Sequence, residues 1–277
     1  MDIAARHAAA GEPEGLVVVA NEQTAGRGRA GRTWHARPND SLLLTVLLRP
    51  NLPVDRLGVL APLAGVALAE AVEAETELKS WLKWPNDLWL GNRNAGCKAA
   101  GVLSIARLVD DRPEYVLVGI GVNIDGSTEE LPAGATSIAE KLRGRLANPT
   151  QQNGSCGHLL DQRTAKADLR RSRAAANTGP GANKEQLRER LLAAVLAHLD
   201  YQYSAFVGSG GRPSLDRWTA RAALLGESVS VEVGGESMRG VHAGIADDGA
   251  LLLRRPNGVV LRVVAGDLTR GPRLVET

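Results

Sequence analysis

A run of alternating glycine and arginine, Gly26-Arg27-Gly28-Arg29-Ala30-Gly31-Arg32, stands between two apolar segments, Leu16 to Ala20 and Leu42 to Leu48. That placement constrains the fold more than any other feature. The flanks read as buried strands, so the run is a short ordered connection inside a domain, not a tail. Glycine lets a backbone approach a ligand closely and adopt φ > 0. Arginine presents a rigid fork of donors suited to carboxylate and phosphate. No acid lies between Glu22 and Asp40, so nothing adjacent in the chain neutralises these guanidiniums. Such a loop is built to close over an anion.

Nucleic acid is one anion that an Arg-Gly run can meet. The rest of the chain argues against it. Lys and Arg number 33 against 31 Asp and Glu, a net charge of +2, whereas a duplex binder usually carries a clustered basic excess. The run is neither a dinucleotide fingerprint nor a Walker A loop.

Two further motifs follow. In Lys83-Trp84-Pro85-Asn86-Asp87-Leu88, Pro85 biases Trp84 towards extended backbone, and Asn86 and Asp87 can turn the chain. Alone this is also an ordinary strand end. Lys98 lies in Gly96-Cys97-Lys98-Ala99-Ala100-Gly101-Val102-Leu103, a small and apolar stretch where a lone lysine is commonly an edge residue. Finally, the alternating glycines of Val118-Gly119-Ile120-Gly121-Val122-Asn123 suit a strand against which a flat ligand lies.

In this order the motifs G-R-G-R-x-G-R-x-W, K-W-P-N-D-L, K-x-A-G-V-L and G-I-G-V-N resemble those of the biotin–protein ligases. The resemblance runs from about Met1 to Leu142 and resumes from about Glu185 to the end. It implies a two-step reaction: biotin and ATP give biotinyl-5′-adenylate and pyrophosphate, and a lysine of a biotin carboxyl carrier protein domain then takes the biotinyl group. It also implies roles. Arg27 and Arg29 hold the biotin carboxylate and α-phosphate. Arg32 helps order the loop, and Gln23 reads the ureido ring. Gly26 and Gly28 give backbone donors and room, and Trp34 packs on the adenylate side. Lys98 stabilises the developing charge, while Asp87 orients Lys98 or a metal. Lys83, Asn86 and Asn123 belong to the nucleotide and phosphate contacts, with Gly101, Gly119 and Gly121 as the surface beneath the ligand. Bringing carboxylate and phosphate together requires fixed positive charge and usually Mg²⁺; its ligands are left open. A Gly-Arg loop has little apolar surface, so the ligand is expected to complete its folding.

The remaining pattern reads as α+β: a mixed sheet packed with helices, of the class II synthetase and biotin–lipoate ligase type, plus a small SH3-like β-barrel at the C-terminus. The expected division is a catalytic domain over 1–212 and a second domain over 213–277. A helix is expected over Ile3 to Ala10. Val54 to Glu77 has helical spacing, with Pro62 inside it either shifting its start or kinking it. Ser80 to Lys83, Leu88 to Leu90, Lys98 to Ala106 and Tyr115 to Val122 read as strands, and Leu187 to Phe206 as a helix. Residues 143–184 break the pattern and read as an insertion, mostly disordered, with Arg170-Arg171-Ser172-Arg173 as a solvated charge run. Turns at Gly234-Gly235, Asp247-Asp248-Gly249 and Pro256-Asn257-Gly258 punctuate the last strands.

Cys97 and Cys156 form no framework and read as free thiols of a reducing cytoplasm. No apolar run near 18 residues is evident, and no signal peptide, so a soluble cytoplasmic chain is expected. Against the family pattern, no helix-turn-helix precedes the catalytic part, so DNA binding is not expected. The strand and Ser-Thr pair that normally open that part are also missing. If Met1 is the true start, weaker biotin binding and lower stability are expected. The partner implied is the carrier domain of an acyl-CoA carboxylase, with no membrane, and the choice between monomer and weak homodimer stays open. A lipoate–protein ligase and an inactive biotin-binding module are the alternative functions.

Overall fold

The computed structural model describes residues 1–127, 129–147, 180–213 and 215–271, with backbone alone for 180–183. The chain opens with helix α1 (Asp2–Ala9), strand β1 (Val17–Ala20), a 3₁₀ turn at Arg29–Gly31 and β2 (Ser41–Leu48). A 3₁₀ segment, Val54–Val59, leads into α2 (Leu60–Thr76). Then come β3 (Ser80–Lys83), β4 (Asp87–Leu90), β5 (Cys97–Val109) and β6 (Arg112–Asn123). Helices α3 (Ile138–Ala147), α4 (Pro180–Gly208) and α5 (Asp216–Ala220) follow. The chain ends in β7 (Ser228–Val233), β8 (Glu236–Ile245), β9 (Leu251–Arg254), β10 (Val260–Val263) and β11 (Asp267–Arg270).

The first six strands form one antiparallel sheet in the order β1-β2-β6-β5-β4-β3. Its two faces are set by the period of two along each strand. Leu42, Leu44, Val46 and Leu48 of β2 join Val116, Val118, Ile120 and Val122 of β6 in the main core, packed under α2 and α4. The intervening residues face the other way. Leu47, Tyr115 and Leu117 are covered there by Ala4 and Ala8 of α1. Leu43, Thr45, Gly119 and Gly121 are not covered by that helix, and they line a cavity.

Helix α2 is apolar around most of its circumference because it lies between the sheet and α4. Pro62 sits in its first turn, where the amide has no intrahelical acceptor to lose. The expected absence of a long apolar segment is corrected here: Val54–Thr76 is long and apolar enough to cross a membrane by length and composition. Most of that stretch is buried inside the protein, as a core helix requires. Two further expectations change. Residues 143–147 belong to α3 and Lys184 to α4, so the break is shorter than 143–184; residues 148–179, with Arg170 to Arg173 and Cys156, lie outside the described residues. Cys97 is disulfide-bonded instead of free.

The last five strands form a second antiparallel sheet in the order β10-β9-β8-β7-β11, with the expected glycine turns at positive φ at Gly234, Gly235, Gly249 and Gly258. Two contacts lock it to the first sheet. The backbone of 221–223 pairs with β3, Leu82 N donating to Arg221 O and Ala223 N to Leu82 O, both at 2.8 Å. Trp84, 1 % exposed, donates its indole N–H to Gly249 O at 3.0 Å. His242 of β8 is buried beside Trp218 of α5, ring edge to face. Burial pushes its pKa down to about 4, and the nearby backbone of Ala223, Leu224 and Gly244 offsets only part of that.

Two outcomes follow. Trp84→Ala is expected to lower stability by about 3–5 kcal/mol through the lost packing, and Trp84→Phe by about 1–3 kcal/mol through the unpaired Gly249 carbonyl; denaturant melts measure both. Below its ordinary pKa the unfolded chain protonates His242 while the native protein refuses the proton. Stability is therefore fully present above about pH 6.5 and falls by about 3 kcal/mol as pH drops to about 4. Melting temperature against pH should fall less steeply in His242→Phe than in the parent; equal slopes would remove this assignment.

Candidate functional site

The cavity occupies about 390 Å³ between the uncovered half of the first sheet, the Gly-Arg run and the end of the second sheet. The run itself is a small hairpin. Gly28 N donates to Arg32 O at 2.7 Å, Trp34 N donates to Gly26 O at 3.1 Å, and Arg27 pairs with Thr33. Its tip, Ala30 and Gly31, has positive φ. A Cβ at position 26 would lie 2.2 Å from Trp34 O, so only glycine lets the hairpin strands approach so closely. The Gly28 amide, expected to serve a ligand, is used inside the hairpin instead.

Each arginine of the hairpin reaches a protein acceptor. Arg27 pairs with Asp2 at 2.9 Å, with both side chains more than half exposed. Arg32 pairs with Asp267 at the start of β11. Arg29 donates to Gly266 O at 3.4 Å. The second sheet thus holds the loop by two of its three arginines. Asp267 carried no local signal in the sequence, because it is remote in the chain from the hairpin.

Trp34 folds back from the hairpin onto the sheet. Its ring lies 3.1 Å from where a Cβ at Gly101 would stand and 2.7 Å from one at Gly121. The glycines expected to lie under a flat ligand therefore lie, at these two positions, under a flat indole. The Trp34 Nε1 is buried without a hydrogen-bond acceptor among the described residues. At Gly119 the neighbour is the Met1 side chain, 3.2 Å from where a Cβ would stand.

Lys98 stands at the centre. A β-bulge at Leu88/Trp89 interrupts the β4–β5 register beside it, a device that re-aims side chains. Its backbone is held by Gly134 O and by Thr136 N, at 2.9 Å each. Its ammonium lies 2.7 Å from Asp87 Oδ1 and 5.5 Å from the Trp34 ring centroid. Lys83 also lines the cavity, 5.2 Å from the Trp89 ring. Burial lowers its pKa, Asp87 opposing and Lys98 reinforcing the shift. Burial likewise lowers that of Arg29, with Asp267 and Asp87 opposing. Arg27, Arg29, Arg32, Lys83 and Lys98 thus share one cavity with the carboxylates of Asp2, Asp87 and Asp267. Partly dehydrated cations in excess of carboxylates gain when an anion enters.

Gln23, Asn86 and the three sheet glycines also line this space. Asn86 is committed to the fold: its Nδ2 donates to Val102 O at 2.7 Å and its backbone carbonyl accepts from Val102 N at 2.9 Å. Asn123 is 4 % exposed, donates to Thr136 O and does not line the cavity; Gly26 does not line it either. Thr45 and Leu43 were missed, although the alternation along β2 places them on the glycine face. Among the described residues no cluster of three or more His, Cys, Asp or Glu could hold a metal.

Comparison with known proteins agrees with this geometry. Residues 5–123 match the Biotin/lipoate A/B protein ligase family, and residues 224–268 match the Biotin protein ligase C terminal domain. A biotin--[acetyl-CoA-carboxylase] ligase of Paracoccus denitrificans is 32 % identical over 243 residues, covering 87 % of this chain and 85 % of that protein. The bifunctional ligase/repressor BirA of Bacillus spizizenii is 27 % identical over 259 residues, 94 % of this chain and 67 % of that protein. The biotin protein ligase of Aquifex aeolicus, solved with biotin and ATP, shares the fold with a TM-score of 0.65 at 24 % identity, covering 94 % of this chain and 90 % of that one. With both matched regions in place and a cation-rich cavity between them, the chain belongs to the biotin–protein ligases of the biotin/lipoate A/B protein ligase family.

Proposed function

We propose that this chain is an ATP-dependent ligase that activates biotin as biotinyl-5′-adenylate and transfers it to a lysine of a biotin carboxyl carrier protein. The observation that carries the reading is the Lys98–Asp87 pair, set at 2.7 Å in a cavity roofed by the Gly-Arg hairpin. In the first step a biotin carboxylate oxygen bonds to the α-phosphorus of ATP as the bond to the bridging oxygen breaks and pyrophosphate leaves. The two anions repel, and Arg27, Arg29 and Lys98 supply fixed charge where they meet. Asp87 keeps Lys98 aimed through the ion pair at 2.7 Å. Lys83 adds a cation on the phosphate side. In the second step the carrier amine attacks the acyl carbon, the bond to phosphate oxygen breaks, AMP leaves and the amine gives up a proton.

Mg²⁺ fits this site only through substrate phosphates together with one carboxylate, the arrangement that ion commonly takes. Asp87 is the residue that would hold it, and the ion would neutralise phosphate charge. The hairpin and Trp34 cover the reacting atoms from water, which protects a mixed anhydride. The name of the Paracoccus relative supports the carrier domain of an acetyl-CoA carboxylase as acceptor, and the reading places the reaction in the cytoplasm.

Purified chain, biotin, ATP–Mg²⁺ and a carrier domain should yield a carrier heavier by one biotinyl group at one lysine. Lys98→Ala should slow adenylate formation about 100- to 1,000-fold with an unchanged melting profile. A Lys98→Ala variant as fast as the parent would sink the assigned role.

A further inference from the structure

On the cavity side of β6 the period of two brings up Tyr115, Leu117, Gly119 and Gly121 in turn. Ala4 and Ala8 of α1 cover the first two. Met1, three residues before Ala4, extends the same stripe to the point where Gly119 leaves room. Its side chain fills that room: a Cβ at position 119 would stand 3.2 Å from the Met1 sulfur and 3.3 Å from its methyl carbon. An unbranched, polarizable thioether suits such a gap. Asp2 reaches the Gly-Arg hairpin instead, its carboxylate 2.9 Å from Arg27. Both residues line the cavity.

The pair sets a thioether on the sheet floor and a carboxylate on Arg27. Biotin carries the same two groups, a sulfide in its ring and a carboxylate at the end of an alkyl chain, and Arg27 is the residue read above as meeting that carboxylate. Two carboxylates at one guanidinium repel each other, and two groups cannot fill one space over Gly119. Neither contact is strong. The Arg27–Asp2 pair is more than half exposed on both sides, the kind worth little, and Met1 is only partly buried. An occupant held this weakly gives way to a ligand that makes the same contacts and more.

We propose that Met1 and Asp2 are an intramolecular competitor for biotin: the Met1 thioether occupies the floor over Gly119, Asp2 holds Arg27, and biotin binds when both withdraw. This rests on the biotin reading above. The apparent affinity is then the intrinsic one reduced by the fraction of molecules in which the pair has left the cavity. Asp2 also stands in the first turn of α1, where a negative charge favours the helix. That service to the helix places no limit on biotin affinity, so the two roles separate by experiment.

The test is calorimetry of biotin with the full chain, comparing the parent with Asp2→Ala and Asp2→Asn. Both variants should bind biotin about two- to fivefold more tightly, the scale of one exposed ion pair. Asp2→Asn keeps the size of the side chain and carries the test should Asp2→Ala unsettle α1. A merely structural Asp2 would leave affinity unchanged or weaken it, and either result overturns the proposal. Met1 and Met238 are the two methionines of the chain, and Met238 does not line the cavity. Methionine methyl groups labelled with carbon-13 therefore give one probe and one internal control. A nuclear Overhauser contact between the Met1 methyl and the Gly119 Hα should be present without ligand and lost at saturating biotin, with the Met238 signal unmoved. A contact that survives saturating biotin overturns the proposal. No heat from biotin with parent or variants is instead the failure of the biotin reading, whereas binding that the variants do not tighten is the failure of the competitor alone.

Discussion

Close packing over glycine is the constraint on which this site depends. On β6 the residues facing the main core are Val116, Val118, Ile120 and Val122, whereas those facing the cavity include Gly119 and Gly121. The same strand therefore anchors the hydrophobic layer under α2 and leaves a trench on its other face. Any side chain at Gly121 would collide with Trp34, whose ring atoms come within 2.7 Å of the position a Cβ would take. Without that seat Trp34 could not lie flat, and the hairpin that ends in it would lose its contact with the sheet. The geometry around Lys98 follows, since its ammonium is placed between Asp87 and the Trp34 ring.

The two sheets meet at the same place. Trp84 joins the K-W-P-N-D segment to the turn at Gly249, while Asp267 and Gly266 hold Arg32 and Arg29 of the hairpin. Loop and turn are thus gripped from the C-terminal side, and the buried His242 lies at the joint. The arginine contacts are an exposed ion pair at Arg32 and a long hydrogen bond to a backbone carbonyl at Arg29, individually weak. They are contacts a phosphate or carboxylate can replace. Burial at Trp84 is different in kind, because it fixes where the second sheet sits whether or not a ligand is present.

Much of this was legible in the chain. Short apolar runs bounded by turn residues located the strands, and Pro62 flagged a shifted start or a kink in α2, of which the shifted start is found. The cation-rich cavity was legible too, since arginines without neighbouring acids must find anions elsewhere. Residues whose roles depend on long-range pairing were not. Asp267 meets Arg32 across 235 positions, and nothing near it in sequence signals that. Asn86 was read as a ligand contact; it lines the cavity, and its Nδ2 also closes the turn onto Val102. The glycines of the hairpin were read as room for a ligand; at Gly26 the room is for the protein's own backbone.

The central claim is that this cavity joins a biotin carboxylate to the α-phosphate of ATP. Isotope exchange between pyrophosphate and ATP, run with no carrier protein present, addresses that step alone. The account predicts exchange that requires biotin and is lost on replacing Lys98 with alanine. Exchange that proceeds equally without biotin, or none at saturating biotin and ATP–Mg²⁺, would contradict it.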